Sequence, residues 1–239
     1  MTSVGVEEYA ARLAETLPGV RARIEEACKA SGRAPGAVRL VGVTKGHPIG
    51  AVRAALEAGL VGLGENRVEE AEEKRAALGS VPARWHFIGH IQGRKARRAV
   101  DVADLVHSVD SIKLGERLAR IGDDRGAAVR VLIQVNTSGE GSKGGLEGED
   151  VVEQIHRLAE LPGLRVEGLM TMAPFVDDEV VLGRTFAGLR SVLERARAVS
   201  ERVGAELSMG MTNDLEVAVR EGSTIVRIGT ALFGEREAK

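Results

Sequence analysis

Lys45 directly follows an apolar run at residues 38–44, which places its amine at the mouth of a hydrophobic core. Burial disfavours the charged ammonium and can lower a lysine's pKa by several units. A neutral amine attacks carbonyl carbon, the reaction by which Schiff-base lysines form. The same position also suits a plain surface lysine at the start of a loop. A second constellation lies towards the other end of the chain, where Gly210 and Gly229 follow short apolar runs and would let the backbone approach a ligand. Thr212 and Thr230 add hydroxyl donors, and Thr212 or Asn213 is placed to cap a following helix. Glycines, hydroxyls and helix starts together describe a phosphate cradle, although turn glycines with a cap give the same pattern. Arg227 sits inside the apolar run 224–228 and needs either solvent or a partner. It could donate to a ring nitrogen or an anion, or pair with a carboxylate such as Glu65.

The elements that must carry these groups follow from the hydrophobic rhythm. Short apolar runs at 38–44, 61–64, 85–88, 105–108, 129–135, 164–170, 206–209 and 225–228 read as strands. Helical patterns separate most of them, at 49–58, 68–78, 114–121, 151–161, 180–203 and 215–221. This alternation predicts an α/β fold, a single-domain (β/α)8 TIM barrel, and the chain's 239 residues match the roughly 250 typical of that architecture. An open doubly wound sheet is the competitor, but its Gly-rich turn is missing after the first run, where Thr44, Lys45, Gly46, His47 and Pro48 stand instead. An extra N-terminal helical segment precedes the barrel within residues 1–36. Val6, Ala10, Leu13 and Leu17 share one face, continued by Val20, Ile24 and Cys28. Pro18 is expected to kink or split it, at a cost of about 3 kcal/mol for an interior proline.

In such barrels the working groups lie at the carboxyl ends of the strands. The polar residues there are Lys45, Glu65 with Asn66, His86 with His90, Asp110, Asn136, Thr171, the 210–213 stretch and the 227–230 stretch, so they are expected to converge on one rim. The histidines show no close ligand spacing with acidic residues, and no metal is expected. Residues 139–145 look superficially like a phosphate loop, but Lys143 precedes Gly144 where Ser or Thr is needed, so a lid or surface loop is expected. The basic cluster Arg94, Lys95, Arg97 and Arg98 reads as a solvated helix face, and with a formal charge of −2 no nucleic-acid partner is expected. Cys28 is the only cysteine and reads as a small core residue. No apolar stretch approaches the roughly 20 residues of a membrane span, and no basic segment with an apolar run opens the chain. A cytoplasmic location is expected.

Several runs together resemble the pyridoxal phosphate homeostasis protein family. They are VTK at 43–45, GEN at 64–66, WHFIGHIQ at 85–92, QVN at 134–136, KGG at 143–145, GLM at 168–170, LSMGMTND at 207–214 and GSTIVRIGT at 222–230. They occur in order across nearly the whole chain. The resemblance implies a fold like the alanine racemase N-terminal barrel, with pyridoxal 5′-phosphate (PLP) as a Schiff base on Lys45. It also implies that Asn66 lines the cofactor, that Gly210, Thr212, Gly229 and Thr230 hold its phosphate, and that Ser208 belongs to the cofactor-binding set. Arg227 would face the pyridine nitrogen, keeping it unprotonated and weakening its pull on electrons. Gly46 and His47 depart from the family pattern, standing where a second lysine is common. Thr212 replaces a usual serine, and Arg94 replaces a frequent asparagine.

The resemblance leaves two classes of function. A carrier would buffer PLP inside the cell and hand it to PLP-dependent apo-enzymes without robust turnover. A racemase of this fold needs acid/base groups on both faces of its substrate, one of them a tyrosine, and the only tyrosine here is Tyr9 in the N-terminal helix. The carrier is therefore the expectation, as a monomer, with no membrane partner. A lysine Schiff-base aldolase is the third reading.

Overall fold

A computed structural model describes residues 4–140 and 143–235 of the chain. Eight parallel strands close into a barrel in chain order: β1 (Arg39–Val43), β2 (Gly62–Glu65), β3 (Arg84–Phe87), β4 (Leu105–Val109), β5 (Val129–Gln134), β6 (Leu164–Met170), β7 (Glu206–Ser208) and β8 (Ile225–Ile228). The ring closes where β8 pairs with β1, with Arg39 beside Ile225 and Gly42 beside Ile228. Helices α2 (Ile49–Glu57), α3 (Val68–Leu78), α4 (Ala96–Val102), α5 (Ile112–Arg125), α6 (Val151–Ala159), α7 (Glu179–Val199) and α8 (Leu215–Arg220) cover the outside, and short α9 (Thr230–Phe233) follows β8. The expected single barrel is observed. Helix α4 is an addition to the sequence reading, entered through a 3-10 turn at Gly93–Lys95.

Side chains alternate across each strand, so every strand feeds two cores. Outward residues pack beneath the helices, as Val131 and Ile133 of β5 do in the same cluster as Leu158 of α6 and Phe186 of α7. Inward residues Val41, Leu105, Leu132, Met170 and Ile225 fill the barrel itself. Aliphatic residues suffice because strands of a barrel are buried on both faces.

The N-terminal segment is one helix, α1 (Val4–Ala30), with Pro18 inside it, so of the expected kink or split the split does not occur. Leu13, Leu17, Val20, Ile24 and Cys28 form its buried stripe, all less than a tenth exposed, against Ala51, Ala55, Leu215 and Phe233. Burial along this stripe outweighs the backbone donor that proline withholds. The helix stops at Gly32, whose φ of +68° suits glycine, with the amide of Arg33 bonding back to the Cys28 carbonyl at 2.8 Å. Thus α1 lies across the seam between the first and last βα units.

Candidate functional site

A cavity of about 760 Å³ opens at the carboxyl ends of the strands, within the usual size range for small-molecule sites. Its lining includes the apolar side chains of Val43, Ile88, Met170 and Met211. Of the residues singled out in the sequence, Lys45, Asn66, Thr212, Arg227, Gly229 and Thr230 line it. Ser208 and Gly210 are not in the lining. Ser208 is fully buried behind Arg227 and accepts from its Nη1 at 2.6 Å.

The backbone on both sides of Lys45 is held by a buried ionic cluster. Lys74 Nζ, from α3, donates to the Thr44 carbonyl at 2.7 Å, to Glu65 Oε1 at 2.6 Å and to Glu70 Oε1 at 2.7 Å. Thr44 Oγ1 donates to Glu65 Oε1 at 2.6 Å, and the Gly46 amide donates to Glu70 Oε1 at 2.6 Å. Residues 44 and 46 are thus both tied to one ion-paired cluster, and the lysine between them projects from a fixed base. Burial raises the pKa of Glu65 above the usual glutamate value, with Lys74 opposing that shift. Lys74 is not among the residues that the sequence analysis picks out; it lies among charges in α3.

Arg227 is 5% exposed. Its Nη2 donates to the Thr171 carbonyl at 3.0 Å. Glu65, the carboxylate raised as its possible partner, is engaged by Lys74 and Thr44 instead. Burial pushes the Arg227 pKa down to about 10, so it stays charged at neutral pH, with Asp214 as the opposing charge. Beyond β7 the chain turns on Asp214, whose carboxylate accepts from the Met211 amide. This residue, in place of Thr212 or Asn213, stands at the N-cap of α8. Thr212 is left on the cavity wall, which Gly229 and Thr230 at the start of α9 also line.

Asn66 is pressed against the loop after β3. A Cβ on Gly89 would lie 2.2 Å from the Asn66 carbonyl oxygen, so only glycine permits this approach. The side-chain Oδ1 of Asn66 is buried without a hydrogen-bond partner among the described residues. A buried polar atom facing a cavity is one that a bound polar ligand would satisfy.

Two histidines occupy unexpected places. His86 does not reach this rim. Its ring helps line a separate cavity of about 470 Å³ at the opposite mouth, beside Arg39, Arg84 and Arg130. Strand periodicity puts His86 inside the barrel, but its depth along the axis depends on strand stagger. His47 does line the site and bonds Tyr9 Oη through Nδ1 at 3.0 Å, which brings α1 to the edge of the cavity. Lys143 also lines it and donates to the Ala173 carbonyl, joining the loops after β5 and β6. In the basic cluster, Lys95 and Arg98 pair with Glu69, Arg98 also with Glu72, and Arg97 with Asp124.

Residues 19–237 match the family model described as alanine racemase, N-terminal domain. A pyridoxal phosphate homeostasis protein from Pseudomonas aeruginosa is 43% identical over 226 residues, covering 94% of this chain and 96% of that protein. One from Aquifex aeolicus is 38% identical, covering 93% and 98%. The chain belongs to the pyridoxal phosphate homeostasis protein family. Among solved structures, PipY of Synechococcus elongatus with PLP bound superposes with a TM-score of 0.79 at 37% identity, covering 88% of this chain and all of PipY. An alanine racemase from Clostridium difficile shares the fold, with a TM-score of 0.76 at 15% identity. It covers 94% of this chain but only 58% of the racemase. The match thus takes in nearly the whole of the homeostasis proteins and about three fifths of the racemase.

Proposed function

We propose that this chain binds PLP and serves as a carrier that holds it, with residues 1–239 acting as one cofactor-binding unit. Lys45 Nζ would retain the aldehyde carbon as a Schiff base. Gly229 and Thr230, at the start of α9, and Thr212 would receive the phosphate. Barrels often bind phosphate on the loops after strands seven and eight and a short extra helix, which is the place these residues occupy. Asn66 would use its unpartnered amide oxygen or, with the amide turned, its NH2 group on a polar edge of the ligand. Arg227 would present a permanent charge to the pyridine nitrogen. Bound PLP supplies an electron sink for reactions at amino-acid carbon, and a donor at that nitrogen that does not release its proton damps this capacity.

The observation that carries the reading is the convergence of an amine on a fixed base, a buried guanidinium and an unpartnered amide on one cavity of cofactor size. Among the residues lining that cavity there is no tyrosine, so the second acid/base group of a racemase has no source there. Hence we place the protein among carriers, working in the cytoplasm as a monomer and passing PLP to apo-enzymes.

The test is the visible absorbance of purified protein mixed with PLP. Wild type should develop the band of a protonated Schiff base, and Lys45→Ala should not. A wild-type protein that takes up no PLP would overturn the proposal. Sustained conversion of L-amino acids to their D-isomers would overturn the carrier reading alone, and light scattering during gel filtration checks the monomer.

A further inference from the structure

Behind Arg227 a line of hydrogen bonds crosses the barrel lumen. Arg227 Nη1 reaches Ser208 Oγ at 2.6 Å, Ser208 Oγ and His107 Nδ1 are 2.9 Å apart, and His107 Nε2 and His86 Nδ1 are 2.8 Å apart. The members come from β8, β7, β4 and β3, and His107 and Ser208 are fully buried. Polar groups in such a place are costly unless each finds a partner.

Counting protons orders the line. Ser208 has one hydroxyl hydrogen and already accepts from Arg227, which can only donate. If that hydrogen goes to His107 Nδ1, then His107 carries its proton on Nε2 and donates to His86 Nδ1. His86 then carries its own proton on Nε2, on the side of the ring away from His107, in the cavity at the opposite mouth. In the reverse order Ser208 accepts twice and its hydrogen has no acceptor among the described residues. The first order requires two neutral imidazoles. Burial lowers both pKa values, His86 to about 4; at His86 the charges of Arg39, Arg130 and Arg84 push the same way against Asp104, and at His107 those of His86, Arg227 and Arg39 do.

We propose that His107 is a positioning residue for Arg227. By accepting from Ser208 it commits the Ser208 oxygen to receive Arg227 Nη1, which fixes the guanidinium plane presented to the cofactor ring. This rests on the PLP reading above.

The wild-type protein without cofactor provides the first test. Long-range 1H–15N correlation spectra should show His107 bare at Nδ1 and protonated at Nε2, and the opposite tautomer or an imidazolium at neutral pH overturns the proposal. With PLP, His107→Phe keeps a ring but offers Ser208 no acceptor. It should weaken binding roughly tenfold and shift the visible band. His107→Asn keeps an acceptor next to Ser208 and should recover most of both. Should the Phe variant fail to fold, Ser208→Ala makes the same comparison by removing the oxygen that receives Arg227. Variants that bind and absorb like wild type overturn the proposal while leaving PLP binding intact. A wild type without any PLP band overturns the cofactor reading, and this proposal with it.

Discussion

Lys74→Met isolates what the ionic cluster beneath Lys45 contributes. The Lys74 side chain is 6% exposed and its Glu65 partner 1%, whereas Glu70 is 22% exposed. Methionine fills a similar space, so little packing is lost. What remains is a buried Glu65 carboxylate without its counter-charge, and removing one partner of a buried pair typically costs about 3–5 kcal/mol. Because Glu65 keeps the Thr44 hydroxyl as a donor, the lower end, about 3 kcal/mol, is expected at neutral pH. The pH dependence follows from burial, which already raises the pKa of Glu65, an effect that Lys74 opposes. Without Lys74 it rises further. A carboxyl that holds its proton more tightly folded than unfolded gains stability as pH falls through its folded pKa. The deficit of Lys74→Met against wild type should therefore be full at high pH and shrink towards the ordinary glutamate range. Adding Glu65→Gln should return much of the loss at neutral pH. Denaturant titrations of the three proteins at about pH 5 and about pH 8 measure this. A deficit below about 1 kcal/mol, as for a surface pair, or one equal at both pH values, would refute the reasoning. The same variant frees the Thr44 carbonyl and should also weaken PLP retention on Lys45.

Gly89→Ala forces a methyl against the Asn66 backbone and should cost about 1–3 kcal/mol, read from the unfolding midpoint, with weaker PLP uptake. Pro18→Ala restores a donor inside an unbroken helix and should raise the thermal midpoint, by an amount bounded by the roughly 3 kcal/mol propensity difference. Phe175 lies on the lip of the cavity and is 91% exposed. Phe175→Ser should leave stability within about 0.5 kcal/mol, as a melt would show.

The strands were legible because two-sided burial writes them as aliphatic runs, and the rim residues because each stands at the end of such a run. Lys45, Asn66, Thr212, Arg227, Gly229 and Thr230 all reach the cavity on that basis. What the sequence hid depends on contacts between distant segments. Lys74 sits in a stretch rich in Glu and Lys, and only its i,i+4 spacing from Glu70 gave any sign of a partner. Helix α4 buries alanines and short valines between arginines, which leaves a faint amphipathic stripe. Tyr9 and His47 meet because α1 crosses the barrel seam, and no local pattern announces such a crossing.

That seam has a consequence for the order of synthesis. Lys45 follows β1, whereas Arg227, Gly229 and Thr230 belong to β8 and its exit, so the two halves of the pocket are made at opposite ends of translation. Until β8 docks beside β1, a chain still on the ribosome offers an aldehyde only a bare amine on an unsealed edge. A ligand gripped by the closed form alone stabilises that form by mass action. Cargo loading would then double as a latch on the finished ring, and half-made chains would hold the aldehyde only as weakly as any exposed lysine does.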